Sequence, residues 1–196
     1  RIAGNGLVWV SDEYGPHLVA FDRSGGWQRE QTLPAEFRIG FPSSDAKFED
    51  AHNCRGRRAN RGLEGLALTP DGRYLVGLMQ SALLQDARWN ETGKPVGWHA
   101  RLLRIDLETG AQQQFVYRQA AESHKLHEIL AIDNERFLVI EQDGLGGEAA
   151  AYKKIIAIDL RRATTVDASC RLPADELPAS IQPVARADFL DLLAPR

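Results

Sequence analysis

A chain of 196 residues, 43% hydrophobic and 26% charged, has globular content and enough length to bury one sizeable core. A formal charge of -3 gives no general pull toward nucleic acid or an anionic membrane, and no apolar run approaches the ~18 residues of a membrane span. The chain begins at Arg1 with no charged-then-apolar leader, and Cys54 and Cys170 lack metal-finger spacing, so they are expected to be structural, free or paired.

In chain order, the first predicted strands cover Leu7–Asp12, His17–Asp22 and Trp27–Leu33, and "SDEYGP" (Ser11 to Pro16) separates the first two. A long link from Pro34 to Gly62 follows, carrying "CRGRRANRG" with Arg55, Arg57, Arg58 and Arg61. Strands are then predicted over Leu63–Leu68 and Tyr74–Gln80, joined by the turn "TPDG", and after a loop from Ser81 to about His99 over Arg101–Asp106 and Gln112–Tyr117, joined through "ETG". The series continues with His127–Ile132 and Phe137–Glu141 around "IDNE", and Lys154–Asp159. The tail from Pro173 to Arg196 has three prolines before its last apolar run, which is read as a strand.

Three stretches align with one another: "LVWVSDE…HLVAFDRSGG", "YLVGLMQ…RLLRIDLETG" and "FLVIEQD…KIIAIDLRRA". Two of them follow a strand opened by a glutamate, "LEGLALTPDGRYL" and "HEILAIDNERFL". A four-stranded unit recurring without intervening helices predicts an all-β chain, a β-propeller of four-stranded antiparallel blades. About three blades, near 1–34, 62–119 and 126–196, would form an open arc as a single partial domain. A sandwich and a β-solenoid are the alternatives.

Antiparallel strand polarity places the start of each first strand and the end of each second strand at one end of the sheets. Asp12, Glu13, Glu64, Glu128, Glu141 and Asp143 are therefore expected on one face, with the arginine-rich link approaching it. Gathered carboxylates raise one another's pKa unless something positive compensates. A divalent cation, calcium foremost, suits a ring of oxygens; the other reading is that each acid ties down a neighbouring blade through amides or an arginine. His124 and His127, three apart before a strand, read as loop histidines, and no G-x-S-x-G, P-loop or H-E-x-x-H pattern is present.

"SDEYGP", "NRGLEGLALTPDGRYL" (Asn60 to Leu75), "RLLRIDLETG" (Arg101 to Gly110) and "HEILAIDNERFLVIEQDG" (His127 to Gly144) resemble, in order, the recurring segments of the phytase-like domain family, known as "esterase-like activity of phytase". The resemblance implies a propeller in exported, periplasmic or secreted bacterial proteins, with acids carrying phosphate-ester chemistry. It also implies that the pattern continues beyond both ends, so that blades of a parent protein are missing, and that an arginine stands where this chain has Gln142. The expected function is metal-assisted hydrolysis of a small-molecule phosphate ester or phosphodiester. In that scheme Glu64 or Glu128 is the catalytic base, Asp12, Glu13, Glu141 and Asp143 hold calcium or a similar ion, and Arg58 and Arg61 hold phosphate. The alternative is a non-catalytic exported propeller that binds a ligand or partner, its acids structural or calcium-stabilising. A lactonase-type propeller shares a channel metal but has no specific motif here.

Overall fold

Alternation along the strands sets the architecture, and in the middle of the chain both faces of the strands are apolar. In the computed structural model, which describes residues 1–194, β1 (Val8–Ser11), β2 (Leu18–Phe21) and β3 (Trp27–Glu30) make a first antiparallel sheet in that order. One short helix, α1 (Ala46–His52), precedes β4 (Leu63–Leu68) and β5 (Tyr74–Met79). The loop after β5 holds a two-stranded ribbon, β6 (Arg88–Trp89) with β7 (Pro95–Val96), and leads to β8 (His99–Asp106) and β9 (Gln112–Arg118). The second sheet has the order β4-β5-β8-β9. A third, antiparallel like the others, is built from β10 (Lys125–Ala131), β11 (Arg136–Gln142), β12 (Lys153–Asp159) and β13 (Ala185–Asp191) in chain order.

The second sheet is buried on both faces. Leu75, Met79, Leu103 and Ile105 meet Trp9, Leu18 and Ala20 of the first sheet. Val76, Leu78, Leu102, Phe115 and Tyr117 point the other way, onto Leu126, Phe137, Val139 and Ile156 of the third. This double burial is why β5 and β8 read as nearly continuous apolar runs. The outer sheets keep exposed apolar residues, among them Val10 and Trp27 on the first and Leu130, Ile132 and Phe189 on the third.

The strand assignments, the tail strand included, follow the alternation within a few residues. Three features depart from it. The first sheet has three strands rather than four. The link after β3 contains α1, whose first turn is capped by the Asp45 side chain accepting from the amides of Lys47 (2.9 Å) and Phe48 (3.2 Å). The long loop contains the β6–β7 ribbon. Cys54 and Cys170 are both free thiols, and no helix among the described residues is long and apolar enough to cross a membrane.

One enclosed ion pair ties the second sheet to two loops. Arg101 on β8 donates from Nε and Nη2 to the two carboxylate oxygens of Asp86 (2.7 and 3.0 Å), and both side chains are fully buried. Nη1 donates to Gln114 Oε1, Nη2 also to the Cys170 carbonyl, and the Leu172 amide completes Asp86. Every charge here has a partner, so removing one member strands the other. Arg101→Ala is expected to lower the unfolding free energy in urea by ~3–5 kcal/mol; a loss below ~1 kcal/mol, the range of exposed pairs, would show that water reaches Asp86 in solution.

Candidate functional site

Two first strands each carry one residue too many. Leu63 pairs with Met79 and Gly65 with Leu78, which leaves Glu64 in a bulge of β4. In β10, Leu126 pairs with Glu141 and Ile129 with Val139, so the bulge falls on His127 and Glu128. The cause is a spacing of three between core residues: Leu63 and Leu66 enter one core, and Leu126 and Ile129 the other. Residues three apart cannot share a face of a regular strand, and an inserted residue restores the phase.

The bulges meet because the backbones approach closely. A Cβ on Gly65 would stand 2.6 Å from the His127 carbonyl oxygen, and one on Gly62 only 2.0 Å from the Glu13 carbonyl oxygen. The first contact sets β4 against β10; the second brings the "SDEYGP" loop onto the arginine-rich link.

At this junction Glu64 Oε1 accepts from Gln80 Nε2 (2.9 Å) and from His127 Nδ1 (3.2 Å). The Glu13 carboxyl is raised above its ordinary 4.5, first by burial and then by the neighbouring charge of Glu64. The other ring nitrogen of His127 meets Gln142 Nε2. Lys153 Nζ donates to Gln142 Oε1 (2.7 Å) and to Asp143 Oδ1 (2.9 Å). Lys125, on β10 opposite Gln142, completes the rim.

The arginines divide into two kinds. Arg57 is buried against Glu49 (2.5 Å) and donates from Nε to the Tyr14 carbonyl. Arg58 Nε and Arg61 Nη1 are enclosed atoms with no hydrogen-bond partner among the described residues. Burial, and then the neighbouring Arg61, push the Arg58 guanidinium down to about 9. Burial lowers Arg61 as well, against Asp50 and Glu13. Lys125 is lowered by burial and by both arginines, opposed by Glu64 and Glu13. Three cations thus share their surroundings with Glu13 and Glu64, and neither arginine is ion-paired with Glu64.

The remaining acids are occupied. Asp12 accepts from the amides of Tyr14 and Gly15 and holds its own loop. Glu128 pairs with Arg1 (2.6 Å) and borders, with Glu64, Arg1 and Trp9, a groove of about 280 Å³. Glu141 is fully buried and accepts from Tyr117 Oη (2.6 Å), the Ala120 amide (2.6 Å), His124 Nδ1 (2.9 Å) and Arg186 Nη2 (2.8 Å). Asp143 accepts from Lys153 and from the amides of Leu145, Ala151 and Tyr152, which holds it far below the usual carboxylate range. Calcium takes six to eight oxygens, yet among the described residues no group of three or more His, Cys, Asp or Glu side chains is arranged to hold a metal ion. Arranged like this, Asp12, Glu13, Glu141 and Asp143 do not fit a cation.

Lys125 joins the site without having been marked in the sequence, and His127, Gln80 and Gln142 join it without having been given a role there. His127 belongs to β10 rather than to a loop. The signal that could have found it is the three-residue spacing of Leu126 and Ile129, which brackets the bulge.

A family model described as "Phytase-like: Esterase-like activity of phytase" matches residues 1–195. An uncharacterized secreted protein of Arthroderma benhamiae is 25% identical over 185 residues, covering 79% of this chain and 35% of its own length. The chain therefore spans about a third of the curated relative it matches. No solved structure matches.

The Glu13 environment fixes the sign of a pH effect. A carboxyl raised in the fold contributes stability below its unfolded value, and that contribution is lost as pH rises through the folded value. Glu13→Gln is therefore expected to raise the melting temperature by about 1–2 °C at pH 7, the scale of a screened interaction, and to leave it unchanged near pH 4. An equal gain at both pH values would remove the Glu13–Glu64 repulsion as its cause.

Proposed function

Since the chain belongs to the phytase-like family, we propose that it carries the site of a hydrolase acting on small phosphate esters or phosphodiesters. The observation that carries this reading is the enclosed, unpartnered guanidinium nitrogens of Arg58 (Nε) and Arg61 (Nη1), with Glu13 and Glu64 among the charges around them. A guanidinium presents a planar fork that matches phosphate oxygens two at a time, and a phosphate between two of them would supply the missing acceptors. Charge withdrawn from those oxygens makes phosphorus the electrophile toward an attacking water. Lys125 adds a third positive charge at the rim.

The architecture proposed with it is a propeller. It is supported by face-to-face stacking of three sheets, by first strands that lie side by side, and by apolar residues left open on both outer sheets. Further blades would come from a longer parent, and export is proposed from the relative's description as secreted. Calcium assistance would require Glu64 to leave its present partners, so it stands in this reading as a condition to be varied.

A second reading, a binding propeller without turnover, is favoured by one set of observations: Asp12, Glu128, Glu141 and Asp143 all serve the protein's own donors. Steady-state hydrolysis of p-nitrophenyl phosphate and bis(p-nitrophenyl) phosphate, with calcium and with chelator, separates the two. Arg58→Ala with Arg61→Ala is expected to raise KM about tenfold or more, since a hydrogen bond to a charged group contributes ~1.5–3 kcal/mol, with little change in melting temperature. An unchanged KM with lowered stability would assign the arginines to the scaffold. Phosphate binding without turnover would establish the binding reading, and loss of activity in chelator would return the acids to the metal.

A further inference from the structure

Two neighbours fix the protonation pattern of the His127 ring. Lys153 Nζ can only donate, and it faces Gln142 Oε1, so the amide nitrogen of Gln142 is the atom turned toward His127. An amide nitrogen also only donates. His127 Nε2 must then accept, which puts the ring proton on Nδ1, where Glu64 Oε1 receives it. Glu64 is itself anchored by Gln80, and Lys153 by Asp143.

The order carboxylate, Nδ1–H, free-electron-pair Nε2 is the arrangement a general base requires: the carboxylate orients the ring and stabilises the imidazolium that forms. The bulge in β10 is what turns this histidine out of the strand's alternation toward Glu64. The His127 side chain is 27% exposed, so water can reach the ring.

Resting on the phosphate-ester reading, we propose that His127 Nε2 is the catalytic base of this site, with Glu64 its positioning carboxylate and Gln142 the amide that holds Nε2 until substrate and water enter. As the water oxygen bonds to phosphorus, its proton passes to Nε2. The ester P–O bond breaks with its electron pair left on the alcohol oxygen, which takes a proton from solvent. The imidazolium, held by Glu64 through Nδ1–H, then returns its proton to solvent. The charged group in contact with the ring is Glu64 on β4, and Lys153 with Asp143 lies beyond Gln142.

The test combines a spectrum of the unaltered protein with kinetics. Nitrogen-15 imidazole correlations of His127 near neutral pH should show the proton on Nδ1; a proton on Nε2 overturns the proposal without any substitution. With p-nitrophenyl phosphate, His127→Ala should lower kcat about 100-fold or more at nearly constant KM, and added imidazole should restore part of it. Glu64→Gln should lower kcat without imidazole rescue. If wild type turns over and His127→Ala stays within about threefold of it, or if its loss is not rescued by imidazole, His127 is not the base, while the phosphate-ester reading stands. If wild type shows no turnover of either ester, that reading fails and His127 falls with it.

Discussion

Strands β4 and β10 approach so closely that Gly65 has no room for a Cβ against the His127 carbonyl, and the whole site depends on that approach. Each strand needs an extra residue to keep two core leucines or isoleucines in phase, and the two extra residues fall opposite one another. Glu64 and His127 are thereby expelled from two different cores toward a common space. Their positions are set by Leu63, Leu66, Leu126 and Ile129, all buried, so the geometry of the junction is carried by packed strands rather than by loops. The Gly62 contact adds Glu13 and the arginines to the same space by the same means.

Charge is handled differently inside the body and at this junction. Arg57 with Glu49, Arg101 with Asp86, and Arg186 with Glu141 are buried pairs completed by further hydrogen bonds. Such groups pin loops to sheets and have no acceptor capacity left for a ligand. At the junction, Arg58, Arg61 and Lys125 repel one another, and Glu13 repels Glu64. The deeper charges are neutralised, whereas Arg58, Arg61, Lys125 and Glu13 keep shifted pKa values, and perturbed groups of this kind concentrate at functional sites. An anion with hydrogen-bonding oxygens relieves the cationic half.

Much of this was legible in the sequence. Strand polarity alone brought Glu13, Glu64 and the arginine-rich link to one end of the sheets, and alternation located the strands. What alternation could not show is where it breaks: "LEGL" and "HEIL" were read as ordinary strand openings, so His127 was given no part in the site. Acids of one type also looked equivalent. Whether a glutamate faces Tyr117, His124 and Arg186, as Glu141 does, or another glutamate, as Glu13 does, depends on residues distant in the chain. α1 was signalled by Asp45 and the helix-forming "AKFEDA" behind it, but the link was read for its arginines.

The central claim is that the two guanidinium groups form a seat for a tetrahedral oxyanion. A crystal soaked in tungstate, located by its anomalous signal, tests it most directly. The account predicts a tungstate peak within hydrogen-bonding distance of both Arg58 and Arg61, with Glu64 still held by Gln80 and His127. A peak confined to other basic residues, or guanidinium groups found paired with Glu13 or Glu64 and no anion between them, would contradict it.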